Sequence, residues 1–138
     1  MKIQLQSLEI SGLKPDIEGA VKAAVDARVG ALITGSGGLL ISYPKQIAQL
    51  STKNRLPSMH ERKEFVDAGG LMSYSATDLE AFRRAAIYVD KILKGSKPAD
   101  LPIEQPTKFE FIINLKAAKQ IGVAIPPSVL ARADKVIK

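Results

Sequence analysis

Apolar and polar residues alternate along this chain in two rhythms, one of period two and one near 3.6, and the rhythm changes every ten to twenty residues. Ile3, Leu5 and, past a break at Ser7, Leu8 and Ile10 predict a strand over residues 2–9. Gly12 and Pro15 interrupt it, Asp16 stands where a helix cap is needed, and Ile17, Ala20, Val21, Ala24 and Val25 keep helical spacing. That helix is expected to end near Arg28, with Gly30 beyond it. Residues 31–34 are a short apolar run closed by glycines, the pattern of a buried parallel strand. Pro44 suits the first turn of a helix that turns Ile47, Ala48 and Leu50 inward. A strand over 56–60 follows, then one or two helical turns over 61–68 closed by Gly69 and Gly70, then a strand over 71–74.

Thr77 and Glu80 make a T-x-x-E capping box before the longest helix, which carries Leu79, Phe82, Ala86, Val89 and Leu93 on one face and stops at Gly95. Three prolines make residues 97–106 an extended connection. The apolar run over 109–113 reads as a strand buried on both sides. Asn114 is placed to cap a short helix through Gln120 that Gly122 ends, and Ser128 to cap a terminal amphipathic helix. Strands alternating with helices predict an α/β fold, three-layer, with a mainly parallel sheet and right-handed crossovers.

With 46% apolar residues in 138, the chain has material for one compact domain and its core. No run of 18 apolar residues is present. Met1 leads straight into the first strand pattern without the basic, apolar and small-residue sections of an export signal, so the chain as given is expected to stay in the cytosol. The lack of cysteine removes disulfides, thiol catalysis and Cys-ligated zinc. The net charge of +6 prompts a nucleic-acid test, but the basic residues are dispersed, and Arg62 and Lys63 are flanked by Glu61 and Glu64. With no aromatic-rich RNA-binding strand motif present, the expectation is a solvated basic surface and no nucleic-acid partner.

In open α/β sheets, ligands bind beyond the carboxyl ends of the strands. That rule selects the loops at residues 34–43, 59–62 and 73–77. The first holds Gly35, Ser36, Gly37 and Gly38, whose amides and hydroxyl could line a carboxylate or other small polar ligand; a strand-to-helix turn needing positive φ angles explains the same glycines. Leu40 stands where a dinucleotide fingerprint needs its third glycine, and no G-K-[ST] triplet occurs, so nucleotides are not expected. His60 is the single histidine, and neither a metal motif nor a nucleophile elbow accompanies it. An ordinary loop role outweighs ligand contact for it, and both outweigh catalysis. Glu61 has the stronger case, as a charged acceptor for an ammonium at the cleft edge.

The second half carries AGGLMSY, KILKG-x-KPADLP, QPTKFE, INLK-x-AK and IPPS-x-LARAD in that order. The chain so resembles the carboxy-terminal part of the ABC-transporter substrate-binding proteins of the tryptophan/tyrosine-uptake type, two-lobed flytrap receptors. The resemblance covers nearly the whole chain. It implies most of one lobe of a type I periplasmic-binding-protein fold, as a carboxy-terminal fragment: a single partial domain over 1–138, with lobe core over 1–76 and crossover helix, extended connection and C-terminal helices over 77–138. It implies no catalysis and no cofactor, a small amino-acid-like or carboxylate solute, an ABC permease as partner, and a periplasmic or extracytoplasmic place for the parent protein. The expected ligand contacts are Gly35, Ser36, Gly37, Gly38, Glu61, Ser73 and Tyr74.

The chain departs from the family where aromatic residues commonly stand: it has Gly38, Leu39 and Leu40 in the first loop, and His60 and Arg62 in the second. Specificity for tryptophan or tyrosine is therefore not carried over, although Tyr43, Tyr74 and Phe65 remain as candidate aromatic contacts. A flytrap-type sensing domain is the alternative function, and a small α/β hydrolase a third. If residues 2–9 are the lobe's second strand, their neighbour is missing from the chain, and a homodimer or larger assembly is expected to cover the gap.

Overall fold

Asp16 accepts a hydrogen bond from the Gly19 backbone N–H at 2.8 Å and so starts α1 (Ile17–Asp26), as its place in the sequence requires. The computed structural model describes residues 3–35 and 37–138, and of Asp78 only the backbone. Three of the later helices, those that start at Pro44, Leu115 and Pro127, also begin at a local signal. Pro44 opens α2 (Pro44–Lys53), Lys63 opens the short α3 (Lys63–Asp67), and α4 (Asp78–Leu93) follows Thr77. Asn114 caps α5 (Leu115–Ile121) by accepting from the Ala117 N–H at 3.0 Å, and Gly122 ends it in the left-handed region at φ 76°. The paired prolines Pro126 and Pro127 open α6 (Pro127–Leu130).

Five strands lie side by side in chain order: β1 (Leu32–Ile33), β2 (Ser58–His60), β3 (Met72–Ala76), β4 (Phe109–Asn114) and β5 (Lys135–Ile137). β1 with β2, β2 with β3, and β4 with β5 run parallel, whereas β3 and β4 are antiparallel. Among the described residues this is a three-layer α/β fold with a mixed, mostly parallel sheet and six α-helices. One core cluster joins Ile17 and Val21 of α1, Ile47 of α2, Leu56 and Phe65; a second joins Leu71 to Ala117, Ala118 and Ile121 of α5. Ile112 and Ile113 fill the centre of β4.

Four expectations fail on geometry. The described part of the strand expected over 2–9 is irregular, with Ile3 and Leu5 largely exposed; none of the five strands pairs with it, and alternation alone cannot satisfy backbone donors and acceptors. Ser128 lies inside α6 rather than capping it, because the two prolines set the helix start earlier; the helix is a single turn, and the chain then forms β5. Thr77 occupies the N-cap of α4, but its side chain makes no capping bond, and Glu80 pairs instead with Arg84 one turn on. The strand at 109–113 is buried at one end only, since Phe109 is 46% exposed while Ile113 is fully enclosed.

α4 and the connection after it stand apart from this body. No described side chain of α4 is buried, and Leu79, Phe82, Val89 and Leu93 are all exposed. The helix is held to its own connection: Tyr88 Oη donates to the Pro102 carbonyl, and Arg84 pairs with Glu104. The antiparallel β3–β4 pair, extended by the Thr77 N–H donating to the Lys108 carbonyl at 3.3 Å, forms the neck that joins arm to body.

Candidate functional site

Parallel pairing of β1, β2 and β3 brings their carboxyl ends to one edge, and a cleft of about 770 Å³ opens there. Gly37 and Gly38 form one wall, Glu61 to Glu64 the floor, and Tyr74 to Thr77 with Phe109 and Glu110 the side toward the arm. Of the residues singled out from sequence, Gly37, Gly38, Glu61 and Tyr74 are brought together in this lining. Gly35 follows β1 and does not line it; Ser73 is fully buried inside β3. Ser36 lies outside the described residues.

The aromatic candidates separate in the same way. Tyr74 is half exposed, stacks on Phe109 with centroids 5.3 Å apart and meets Phe111 edge-on. Tyr43 packs against the first core cluster, and Phe65 is enclosed there. Neither lines the cleft.

His60 is not a loop residue: it ends β2, is 2% exposed, and stacks face to face on Phe65 with centroids 4.6 Å apart. Burial lowers its pKa from 6.5 to about 4, so the ring is neutral at ordinary pH. Gly70 makes this packing possible, because a Cβ there would lie 2.7 Å from the Phe65 carbonyl oxygen and 3.1 Å from two atoms of the His60 ring.

Each neutral ring nitrogen has a partner, and the partners fix the tautomer. Thr34 Oγ1 donates its one proton to Glu61 Oε2 at 2.8 Å, so toward His60 Nδ1, 3.1 Å away, it can only accept. The ring proton therefore sits on Nδ1, leaving Nε2 to accept from Ser58 Oγ at 3.0 Å. Ser58 Oγ in turn accepts from the Leu71 backbone N–H at 3.4 Å. One directed chain of hydrogen bonds thus crosses from the start of β3 through β2 to the end of β1 and finishes on the Glu61 carboxylate. Glu61 Oε2 is held, whereas Oε1 is shielded from solvent and has no hydrogen-bond partner.

Sequence reasoning reached Glu61 but missed Thr34 and Ser58 as its supports. Their signal was the coincidence of hydroxyl residues at one strand end and two places before the histidine on the next. Beside Glu61, Arg62 pairs with Glu64 at 3.3 Å. Burial pulls the Glu64 carboxyl upward, but its own backbone N–H and the Arg62 guanidinium outweigh that and hold it below the ordinary value. The described residues hold no cluster of three or more metal-ligating side chains.

Residues 1–137 match the family model described as ABC transporter substrate binding protein. Three solved structures share the fold. A conserved domain protein from Vibrio cholerae is 24% identical, with a TM-score of 0.81, over 88% of this chain and 40% of that one. The ABC domain in complex with L-Trp from Streptococcus pneumonia is 26% identical, with a TM-score of 0.78, over 88% of this chain and 42% of that one. A substrate binding protein with adhesive properties from Clostridium difficile, in a ligand-free, open structure, is 18% identical, with a TM-score of 0.62, over 89% of this chain and 40% of that one. Among curated proteins no sequence matches. The chain spans about two fifths of the length of the solved chains it matches.

Proposed function

The chain belongs to the ABC transporter substrate-binding protein family, a non-catalytic class, and from that premise we propose that it supplies one lobe of a solute receptor for an ABC importer. Residues 1–76 would form the lobe core and 77–138 the crossover helix, connection and terminal elements. The ligand is a small polar solute, amino-acid-like or a carboxylate, bound without any bond being made or broken. Closure over it and delivery to a membrane permease, outside the cytoplasm, complete the cycle. The tryptophan/tyrosine-uptake subtype is not part of this proposal, because Gly38, Leu39 and Leu40 give the first loop no aromatic wall.

One observation carries this reading: Gly37 and Gly38, which offer backbone amides, Glu61, an acid, and Tyr74, an aromatic, line one cleft at the carboxyl ends of β1 to β3. Those are the three kinds of contact that an amino acid's carboxylate, ammonium and side chain require. A lobe alone offers half of the contacts and cannot exclude water, so affinity for the isolated chain is expected to be weak. Amide NMR of the 138-residue chain, titrated with L-amino acids and small carboxylates, tests it. Shifts gathered at Gly37, Gly38, Glu61 and Tyr74 are expected. Shifts elsewhere, or none with any solute, overturn the assignment of the cleft.

A further inference from the structure

A solvent-shielded carboxylate oxygen without a hydrogen-bond donor is costly, since burial removes water and nothing replaces it. Glu61 Oε1 is in that condition beside the cleft, while its partner oxygen is fixed by Thr34. Thr34 in turn has no freedom to rotate its proton elsewhere without meeting the Nδ1–H of His60 head-on. His60 is locked by Phe65 on its face, Gly70 at its edge and Ser58 at its far nitrogen.

We propose that the Ser58–His60–Thr34 chain is a positioning device that holds the Glu61 carboxylate in one orientation at the cleft, so that its negative charge favours a cationic group of the ligand. The cleft thereby selects solutes bearing an ammonium or guanidinium group over neutral solutes of the same shape. This rests on the cleft being the solute site and names the solute's class. Thr34 and His60 are positioning residues, acting through Glu61. The chain's polarity matters here: every bond in it donates toward the carboxylate, so each donor is oriented by the one before it. Arg62 and Lys63 beside Glu61, and Glu64 and Glu110 across from it, share the lining; the Arg62–Glu64 pair takes one charge of each sign out of the balance.

The test uses n-butylammonium and n-butanol as paired probes of equal shape, read by NMR on the full 138-residue chain. His60 is the single histidine, so its ring nitrogens are assigned without ambiguity. The expected results are a neutral ring protonated at Nδ1, and a shift of the Glu61 side-chain carbon with the ammonium but not with the alcohol. Thr34→Val should abolish that preference and release the tautomer, with affinity for the cation falling roughly ten- to a hundredfold, as loss of one charge-assisted bond implies. Thr34→Ser should restore both. Glu61→Gln, which keeps the size of the side chain and removes its charge, should remove the preference as well.

An Nε2–H ring, a cation preference surviving either Thr34→Val or Glu61→Gln, or no response of Glu61 to n-butylammonium each overturns the proposal. The two readings fail separately. If L-amino acids and their deamino analogues shift the cleft equally, the cation site falls and the solute reading stands. If n-butylammonium moves Glu61 and no amino acid perturbs the cleft, the cation site stands and the solute reading falls.

Discussion

The body of this chain and its arm are built from equally amphipathic helices, yet one buries its apolar face and the other does not. In the body, α1 and α2 place Ile17, Val21 and Ile47 against Phe65, which is wholly enclosed. On the arm, α4 shows Phe82 72% and Leu93 82% exposed. Helical periodicity says that a face is apolar; only the sheet beneath it decides whether that face is covered. The arm has the β3–β4 neck and its own proline-rich connection for support, and neither offers a broad apolar surface to Leu79, Phe82 or Val89. In relatives more than twice this chain's length, a surface for that helix has room to exist.

The sharpest way to break this contrast is to delete one aromatic ring from each region. Phe65→Ala removes the ring that supports His60 and the first core cluster, and should cost about 3–5 kcal/mol. Phe82→Ala on the arm should change stability by less than about 0.5 kcal/mol. Urea denaturation of the two variants reads both. Equal losses would mean that the arm packs on the body in solution and that the distinction is false.

Acid should attack the body and spare the arm. His60 has its pKa lowered from 6.5 to about 4 by burial, so between these values an unfolded chain takes up the proton and the folded one does not. Stability is then full above pH 6.5, falls as pH drops through that window, and levels below about 4, with about 3 kcal/mol lost in all. The lowered Glu64 carboxyl acts in the same direction but only at lower pH, as its own protonation begins. His60→Gln should flatten the upper part of the profile, measured as urea midpoints from pH 7 to 4. An unchanged slope would assign the acid loss to carboxylates.

Much of the body was legible because its signals are local. Asp16, Pro44, Asn114 and Gly122 each act within a turn of their own position, and each does what its residue type predicts. What stayed hidden depends on distant partners. Residues 3–10 have a strand's alternation but no neighbouring strand, and β5 was invisible because its place is set by pairing with β4, from Lys135 to Ile112. The cleft was legible to the extent that strand ends are: Gly37, Gly38, Glu61 and Tyr74 come together, while Ser73 turns into the sheet. His60 was misjudged for the same reason, since its environment is made by Phe65, Gly70 and Thr34 from three different elements.

Gly70 refines the contrast within the body. Gly69 beside it needs its glycine for a φ of +103°, whereas Gly70 has ordinary backbone angles and is required only by the close approach of His60 and the Phe65 carbonyl. Gly70→Ala should therefore cost about 1–3 kcal/mol by overpacking and displace the His60 ring, whose NMR signals report the displacement directly. Retained stability with an unmoved ring would mean that the helix-to-strand turn yields easily and that the ring is not held from this side.

The smallest effect on folding should come from the arm, where the same substitutions have their largest effect on association. Leu79, Phe82, Val89 and Leu93 expose an apolar face, and the edge strand β1 adds Ile33 at 69% exposure. Apolar faces and open strand edges favour pairing of identical chains, and a two-fold dimer is the commonest way to close such a surface. A homodimer or larger assembly of the 14.9 kDa chain is thus expected at micromolar concentration, seen by light scattering during size exclusion. The double variant Phe82→Ser, Leu93→Ser should shift it to monomer while leaving the urea midpoint within the change expected of surface positions, about 0.5 kcal/mol. An Ile33→Ser variant that dissociates the assembly instead would place the contact on the sheet edge. A wild-type chain that elutes as a stable monomer would show that the arm's apolar face is tolerated in water, and the contrast between arm and body would then reflect solvation and not a missing cover.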